Sequence, residues 1–397
     1  MKINIFYKHA NSNGGVPSDI RDLFINLNNK INCSIFSFGD FHAEVKYTDI
    51  LINKGFISLI IFIFTNKEKI AKELNIIVGF YIFNNVILSL VFKIAGINYH
   101  LLPLSQINEY SKKNKLFYAS PIIHNGNLLV KDIKEDLLYK NVSLYLKDLY
   151  YKTFGFFLFS NAKQIWCVSD YEKVKIEDIY TLKNKKLIYY GFGVNTIKKK
   201  LNYRFDYKYI NIVYWGRIDY KNKGLDRLIY MLSKNQQYLV LDKFKFHIIG
   251  PDYNNGFKKV KNEILSNSLE EILILYNDNE IKEIDLGGLR NSDGCVLLSK
   301  WEGFPRVLRE ASYFNLPALI SPETQFADIH LKKLNPISSV IDFNNSDEIQ
   351  NNITFLRFLE SVKINKLNKS RENNLSVVND SWHIEIDNIV SQLYKIR

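Results

Sequence analysis

Residues 302–310, Glu-Gly-Phe-Pro-Arg-Val-Leu-Arg-Glu, set a carboxylate at each end of a stretch that begins with a Gly-Phe-Pro turn. The β-type run GCVLLS precedes Glu302, and the helical pattern REASYF contains Glu310. A strand, a turn and a helix N-terminus in that order aim backbone N–H groups and the positive end of a helix dipole at the mouth of a sheet, which suits a phosphate. Ionised carboxylates accept hydrogen bonds, so Glu302 and Glu310 suit the hydroxyls of a sugar. Taken alone, the two also read as a capping acid and an ordinary exposed helix residue. A second segment, Trp215-Gly-Arg-Ile-Asp-Tyr-Lys-Asn-Lys-Gly224, follows the β-type run YINIVYW. Arg217 offers a planar fork of donors and Lys223 a point charge, a pair able to neutralise a diphosphate. A solvated basic turn is the plainer reading of the same residues.

Both segments stand just past β-type runs, and such runs recur along the chain. In the first half they are Lys2–Tyr7, Ile31–Phe38, Ile76–Phe83, Tyr99–Leu104, Gln164–Val168 and Leu187–Tyr190. In the second half they are Tyr209–Trp215, Lys245–Gly250, Leu273–Tyr276, Gly294–Ser299 and Ala318–Ser321. Helical periodicity fills most of the gaps. Strands alternating with helices predict an α/β chain with parallel sheets covered on both faces. Two such series predict two facing Rossmann-like domains with an interdomain cleft. The first is expected over residues 1–190 and the second over 209–375. The linker, 191–208, combines two glycines with a basic run and has no clear periodicity. Helical spacing returns from Trp382 to Tyr394, so a closing helix over 376–397 is expected to pack back on the first domain.

The chain has 397 residues, enough for two domains. Apolar residues make up 47% and charged residues 24%, a globular and not a disordered balance. Cys33, Cys167 and Cys295 are scattered and form no CxxC pair, which argues against a zinc site or a disulfide framework and suits a reducing cytosol. The opening MKINIFYKHA reads as a strand, not a signal peptide. Ile76 to Phe92 is interrupted by Asn84, Asn85 and Ser89, and Phe56 to Phe64 is too short to span a bilayer. Both are expected to be buried strands and helices of the core.

Charge is divided unevenly. Residues 1–200 hold 27 Lys and Arg against 16 Asp and Glu, while residues 201–397 hold 26 against 25. A basic half joined to a neutral half suggests that one half meets a polyanionic surface, either nucleic acid or anionic lipid headgroups. An overall bias toward Lys and Asn is the competing explanation. The basic residues are not interleaved with a recognisable aromatic motif, so nucleic acid is not expected as a partner.

Together these motifs resemble retaining glycosyltransferase family 4, whose fold is GT-B. The shared pattern is G-R-x-D-x-x-x-K-G at 216–224, G-P-D at Gly250–Asp252, and S-x-W-E-G-F-P with its second Glu. Leu316-Pro-Ala-Leu-Ile-Ser-Pro-Glu-Thr, Gly14-Gly15-Val16 and Val168-Ser169-Asp170-Tyr171-Glu172 also fit. The resemblance implies that Arg217 and Lys223 hold the diphosphate of a nucleotide-sugar donor. It sets Glu302 against the donor sugar, with Gly303, Phe304 and Pro305 beside it. It places Val307 and Leu308 near the phosphate and nucleoside, Glu310 on the ribose, and the first-domain glycines Gly14 and Gly15 near the diphosphate.

The sequence departs from the family in places. Ser105 stands where many relatives carry a histidine, and His124, in PIIHNG, is the imidazole available to replace it on the acceptor or sugar side. Asn315 stands where Gly is usual, and Arg306 and Arg309 where neutral or apolar residues are usual. No DxD-like acidic cluster occurs in a suitable loop, so neither a metal nor another cofactor is expected. The implied reaction is transfer of a sugar to a growing bacterial surface glycan, lipopolysaccharide or capsule, free or lipid-linked, by a cytoplasmic enzyme peripheral to the inner face of the membrane. Two other readings stay open: a degenerate homologue serving as a non-catalytic binding subunit, and a GT-B sugar-nucleotide epimerase.

Overall fold

The computed structural model describes residues 2–8, 31–38, 51–53, 55–79, 83–103, 107–110, 116–119, 151–167, 186–189, 205–276, 291–300, 302, 305–322, 324, 339–344 and 347–371, with isolated residues at 20, 23, 26–28, 30, 173, 176, 177, 289 and 391. The chain divides into two compact units, Met1–Asn195 with Asn379–Arg397, and Thr196–Val378. The closing helix expected over 376–397 lies outside the described residues apart from residue 391, and so does most of the expected linker.

The first unit contains β1 (Lys2–Phe6), β2 (Asn32–Ser37), β3 (Leu51–Asn53), β4 (Leu74–Val78), β5 (His100–Leu102), an antiparallel ribbon of β6 (Ile107–Tyr110) and β7 (Leu116–Ala119), then β8 (Gln164–Cys167) and β9 (Lys186–Tyr189). Seven of these form one parallel sheet in the order β3-β2-β1-β4-β5-β8-β9. Four of the five residues of β1 are buried, as expected of a strand covered on both faces. Helices α1 (Phe56–Thr65), α3 (Phe83–Ala95) and α4 (Phe156–Asn161) follow or precede strands on the same side of the switch in strand order. Right-handed crossovers therefore lay them on one face, with α1 packed on α3 and α3 on α4. The short α2 (Lys67–Ala71) links α1 to β4. Leu59, Ile63, Leu88, Phe92, Leu158 and Phe159 turn inward from these helices and join Phe6, Phe36, Ile77 and Ile165 in the core.

Two expectations need correction here. The run Ile76–Phe83 is not one strand: β4 stops at Val78, Gly79 takes φ 95°, and a helix is under way from Phe83. Asn85 secures the turn by donating to the carbonyls of Val78 and Gly79 at 2.8 and 2.5 Å. The run Phe56–Phe64 is helix α1, and only one side of it is buried, because Ile57, Ile61 and Phe64 face out.

The second unit runs β10 (Ile210–Trp215), α5 (Leu225–Lys234), α6 (Gln236–Leu241), β11 (Phe244–Ile249), α7 (Gly256–Ser266), β12 (Leu273–Leu275), β13 (Gly294–Leu297), α8 (Arg306–Tyr313), β14 (Ala318–Ile320), β15 (Ser339–Val340) and α9 (Glu348–Arg371). Its sheet is parallel throughout, in the order β12-β11-β10-β13-β14-β15. Counted within the unit this is 3-2-1-4-5-6, the doubly wound order, and its direction reverses between β10 and β13. Asn315, where the resemblance led one to expect Gly, holds φ 51° just past α8. Asn tolerates that left-handed conformation better than other side chains, so the helix still ends there.

A buried histidine braces this sheet. His247 on β11 pairs through Nε2 with Asn211 Oδ1 and through Nδ1 with the Tyr276 hydroxyl, both at 2.9 Å, and Phe205 packs on its ring. Asn211 donates its own amide hydrogens to the carbonyls of Asp206 and Tyr209, so its oxygen is the acceptor and His247 carries the proton on Nε2. Burial, helped by the charge of Lys245, pushes His247 down to about 3. In the first unit, burial and then Lys163 push His100 down to about 4. Both histidines bind protons more weakly folded than unfolded, so stability is full above the unfolded value of about 6.5 and falls as pH drops below it. Urea titrations at pH 7 and pH 5 should show a loss approaching 1.4 kcal/mol per pH unit for each histidine once the pH is well under 6.5, about the slope of one proton. His247→Asn should remove one histidine's share of that slope; an unchanged slope would contradict the neutral assignment.

Candidate functional site

Chemistry-bearing residues converge where the second sheet reverses. In open α/β sheets ligands bind outside the carboxyl ends of the strands flanking such a reversal. The segment 216–224 leaves the end of β10, and the segment carrying Glu302 leaves the end of β13.

Backbone geometry locks the two segments together. Gly224, the residue before α5, holds φ 66°, and a Cβ placed on it would lie 1.9 Å from the carbonyl oxygen of Leu298. Only glycine allows that approach. The Lys300 N–H donates to the Asn222 carbonyl at 2.8 Å, and Arg227 donates to the Leu298 carbonyl at 3.2 Å. Lys300 also pairs with Asp226 at 2.8 Å. Within the first loop, buried Asp219 accepts from the Asn222 side chain at 2.9 Å, and its carbonyl accepts from the Lys223 N–H at 3.0 Å. Asp219 is thus a turn former that aims Lys223.

Lys223 and Glu302 meet directly through Nζ and Oε1, as an ion pair with side chains only 18% and 12% exposed. The same Glu302 oxygen accepts from Ser299 Oγ at 2.8 Å. Ser299 is itself fully buried, and its carbonyl accepts from Ser321 Oγ. Arg217 lies beside them by sequence, but its guanidinium stacks on the Tyr253 ring at 4.1 Å and stands 3.8 Å from Asp219. The Tyr214 hydroxyl donates to the Arg217 carbonyl at 2.6 Å. Burial and then the negative charge of Glu302 raise that phenol far above its usual range, so it stays protonated.

Glu310 is not an ordinary exposed helix residue. It is 3% exposed on α8 and accepts from Arg306 Nε at 2.7 Å. Burial, and after it the charge of Glu310, push the Cys295 thiol on β13 up to about 12. Nor does Glu302 cap α8, whose first residue follows Pro305 with no side-chain cap. Val307 and Leu308 turn their side chains into the core, away from any ligand, and the Leu308 N–H donates to the Pro305 carbonyl at 3.2 Å. Gly14, Gly15, Ser105, His124, Gly303, Phe304 and the element Val168–Glu172 lie outside the described residues. Tyr253 and Ser299 join these residues without having been assigned roles from sequence, and Arg306, noted there as a departure inside the motif, is the partner of Glu310. Ser299 precedes Glu302 by three within S-x-W-E-G-F-P, the signal that could have found it, whereas nothing in the sequence marks Tyr253. Among the described residues no group of three or more His, Cys, Asp or Glu side chains is placed to hold a metal ion.

Comparison with known proteins bears on this arrangement. Residues 195–374 match the family model described as glycosyl transferases group 1. The lipopolysaccharide outer core galactosyltransferase WaaB, in its apo form, superposes with a TM-score of 0.61 at 14% identity, covering 100% of both chains. A glycosyltransferase from Rickettsia africae ESF-5 gives 0.62 at 14% identity over 100% of this chain and 98% of that one. Sucrose-phosphate synthase from Thermosynechococcus elongatus gives 0.64 at 13% identity over 99% and 98%. The chain has the GT-B fold. With the family match across the second unit, that fold supports a sugar-transferring enzyme. Curated protein sequences give no significant match to the chain.

The contact between Gly224 and Leu298 can be tested against a control in the same chain. Gly96 also holds a positive φ, 70°, but a Cβ there would meet nothing within 4 Å. Gly96→Ala should cost about 1–2 kcal/mol, the backbone term alone. Gly224→Ala should cost clearly more, because the loop must also leave Leu298. Equal shifts in the unfolding midpoints would contradict the lock.

Proposed function

We propose that this chain is a retaining glycosyltransferase of family 4 that moves a sugar, of the hexose type, from a nucleotide-diphosphate donor to a growing surface polysaccharide carried on a lipid. The observation that carries the reading is the shielded Lys223–Glu302 pair at the reversal of the second sheet. A ligand that brought only an anion would take Lys223 and strand Glu302. One that brought only hydroxyls would satisfy Glu302 and strand Lys223. A phosphate joined to a sugar offers both partners at once.

In this reading Arg217 and Lys223 neutralise the diphosphate as it departs, which favours the transition state electrostatically. Tyr253 holds the Arg217 plane from beneath. Glu302, kept in place by Ser299, orients the sugar through its hydroxyls and does not attack it. Glu310 exchanges Arg306 for the ribose hydroxyls. Charge that a divalent ion would otherwise supply comes from Arg217 and Lys223, so donor binding is proposed to need no metal. The acceptor is proposed to be a bacterial glycan of the lipopolysaccharide or capsule type, met at the inner face of the membrane. Two solved neighbours are named for lipopolysaccharide and another for sucrose-phosphate synthesis, so this acceptor class is proposed on the family resemblance and on the basic first half of the chain.

Arg217→Ala and Lys223→Ala should each lower sugar transfer by about 10²–10³-fold, the scale for losing one preorganised charge-stabilising group. Near-normal turnover in both folded variants would remove them from the reaction. Glu310→Ala should weaken binding of the nucleoside diphosphate itself by about 1.5–3 kcal/mol in calorimetry, because the ribose loses a charged acceptor. Binding should be unchanged by EDTA, and a large loss on chelation would overturn the metal-independent reading.

A further inference from the structure

The first unit carries an apolar surface that neither its core nor the donor chemistry uses. From Gly55 to Asn66 there is no charged side chain, and α1 is apolar on all sides. Leu59 and Ile63 fill the core, whereas Ile57, Ile61 and Phe64, spaced i, i+4, i+7, point to solvent, the first two 74% and 59% exposed. On the neighbouring α3, Phe83, Leu90 and Ile94 repeat the pattern, and Ile94 is 67% exposed. Phe154, just before α4, and Phe156, its first residue, extend it, and the Phe154 and Phe83 ring centroids lie 6.2 Å apart. A surface helix of a globular protein normally turns polar residues outward. Three adjacent helices that expose apolar stripes together mark an interaction surface.

Charge around the stripes identifies the partner. Residues 55–103 and 151–167 hold six lysines against two glutamates. Lys67, Lys69, Lys72, Lys93 and Lys163 are exposed, and the Lys93 ammonium stands over the Phe157 ring at 5.4 Å. Of the two acids, Glu73 turns to Asn4 and Lys2. Lysines that rim an apolar face place cations at headgroup level while the stripes meet acyl chains. At about 1.5 Å per residue, α1 is about 15 Å long, half the ~30 Å of a hydrocarbon core. No helix of the described residues is long and apolar enough to cross a membrane.

We propose that the outer face of α1, α3 and α4 is a docking surface that lies in the plane of an anionic bilayer and inserts its exposed Ile, Leu and Phe side chains among the headgroups. This rests on the membrane attachment proposed above and gives it a surface. Attachment then has two parts: lysine attraction, which salt screens, and apolar insertion, which salt leaves intact.

The test uses the full chain with vesicles of phosphatidylcholine alone and of phosphatidylcholine with phosphatidylglycerol. The wild type should sediment with the anionic vesicles and stay partly bound at about 0.5 M salt. The double variant Ile57→Asp, Ile61→Asp should bind at least tenfold more weakly with an unchanged unfolding temperature, since both positions are exposed. Ile349→Asp, at an equally exposed position of the second unit, should bind like wild type. Four results would overturn the proposal: no vesicle binding by wild type, no loss in the double variant, equal loss in Ile349→Asp, or a wild-type dimer that the double variant abolishes. Calorimetry with nucleoside diphosphate in the absence of lipid judges the transferase reading separately, and the double variant should bind it normally.

Discussion

Glycine at position 224 lets two loops from different strands touch, and the carboxyl end of the second sheet depends on that contact. Where its Cβ would be, the carbonyl of Leu298 lies 1.9 Å away. That closeness lets the Lys300 amide reach the Asn222 carbonyl, and it brings Lys223 to Glu302 across a sequence separation of 79 residues. The sheet explains why these two loops are the ones that meet. β10 and β13 are neighbours on either side of the reversal, so the connections that follow them diverge and leave a crevice at their ends.

The Lys223–Glu302 pair is a latch with a chemical meaning. Removing one partner of a shielded pair leaves the other charge uncompensated, a cost of about 3–5 kcal/mol when the site is fully buried. Any ligand that opens the latch must therefore replace both partners. Ser299 tempers one half of that requirement, since it donates to the same Glu302 oxygen that Lys223 meets. Arg306 and Glu310 repeat the device over one helical turn of α8, where a carboxylate 3% exposed is held by a cation. Arg306, a departure from the family's usual neutral residue, thereby gains a physical role.

Much of this was legible in the chain. Arg217, Lys223 and Glu302 stood out because each lies in the segment that leaves a β-type run, with glycine beside it, and strand ends are where such sheets bind ligands, while Glu310 stood out as the second carboxylate of the Glu302 motif. Tyr253 was not legible, because its place under Arg217 depends on β11 lying next to β10. Gly250 permits that approach, since a Cβ there would lie 1.9 Å from the Gly216 carbonyl. The burial of Val307 and Leu308 was likewise hidden, because a motif fixes positions and not the direction a helix turns its side chains. Phe56–Phe64 misled for another reason. A helix apolar all round has no period that tells inside from outside, so its exposed stripe emerged only once α3 and the sheet fixed which side faced the core. The strand over Ile76–Phe83 was overextended because apolar residues continue past Gly79, where the chain actually turns.

One measurement bears most directly on the latch: calorimetric affinity for a nucleoside diphosphate and for its sugar conjugate, in wild type and in Glu302→Gln, with uridine and guanosine series run in parallel. Wild type should prefer the conjugate, which satisfies both Lys223 and Glu302. Glu302→Gln frees Lys223 from its competitor, so the nucleoside diphosphate should bind more tightly, on the order of tenfold or about 1.4 kcal/mol. The preference for the conjugate should disappear together with sugar transfer. If Glu302→Gln instead binds the nucleoside diphosphate more weakly than wild type, Glu302 supports the phosphate site and does not guard it, and the latch account is wrong.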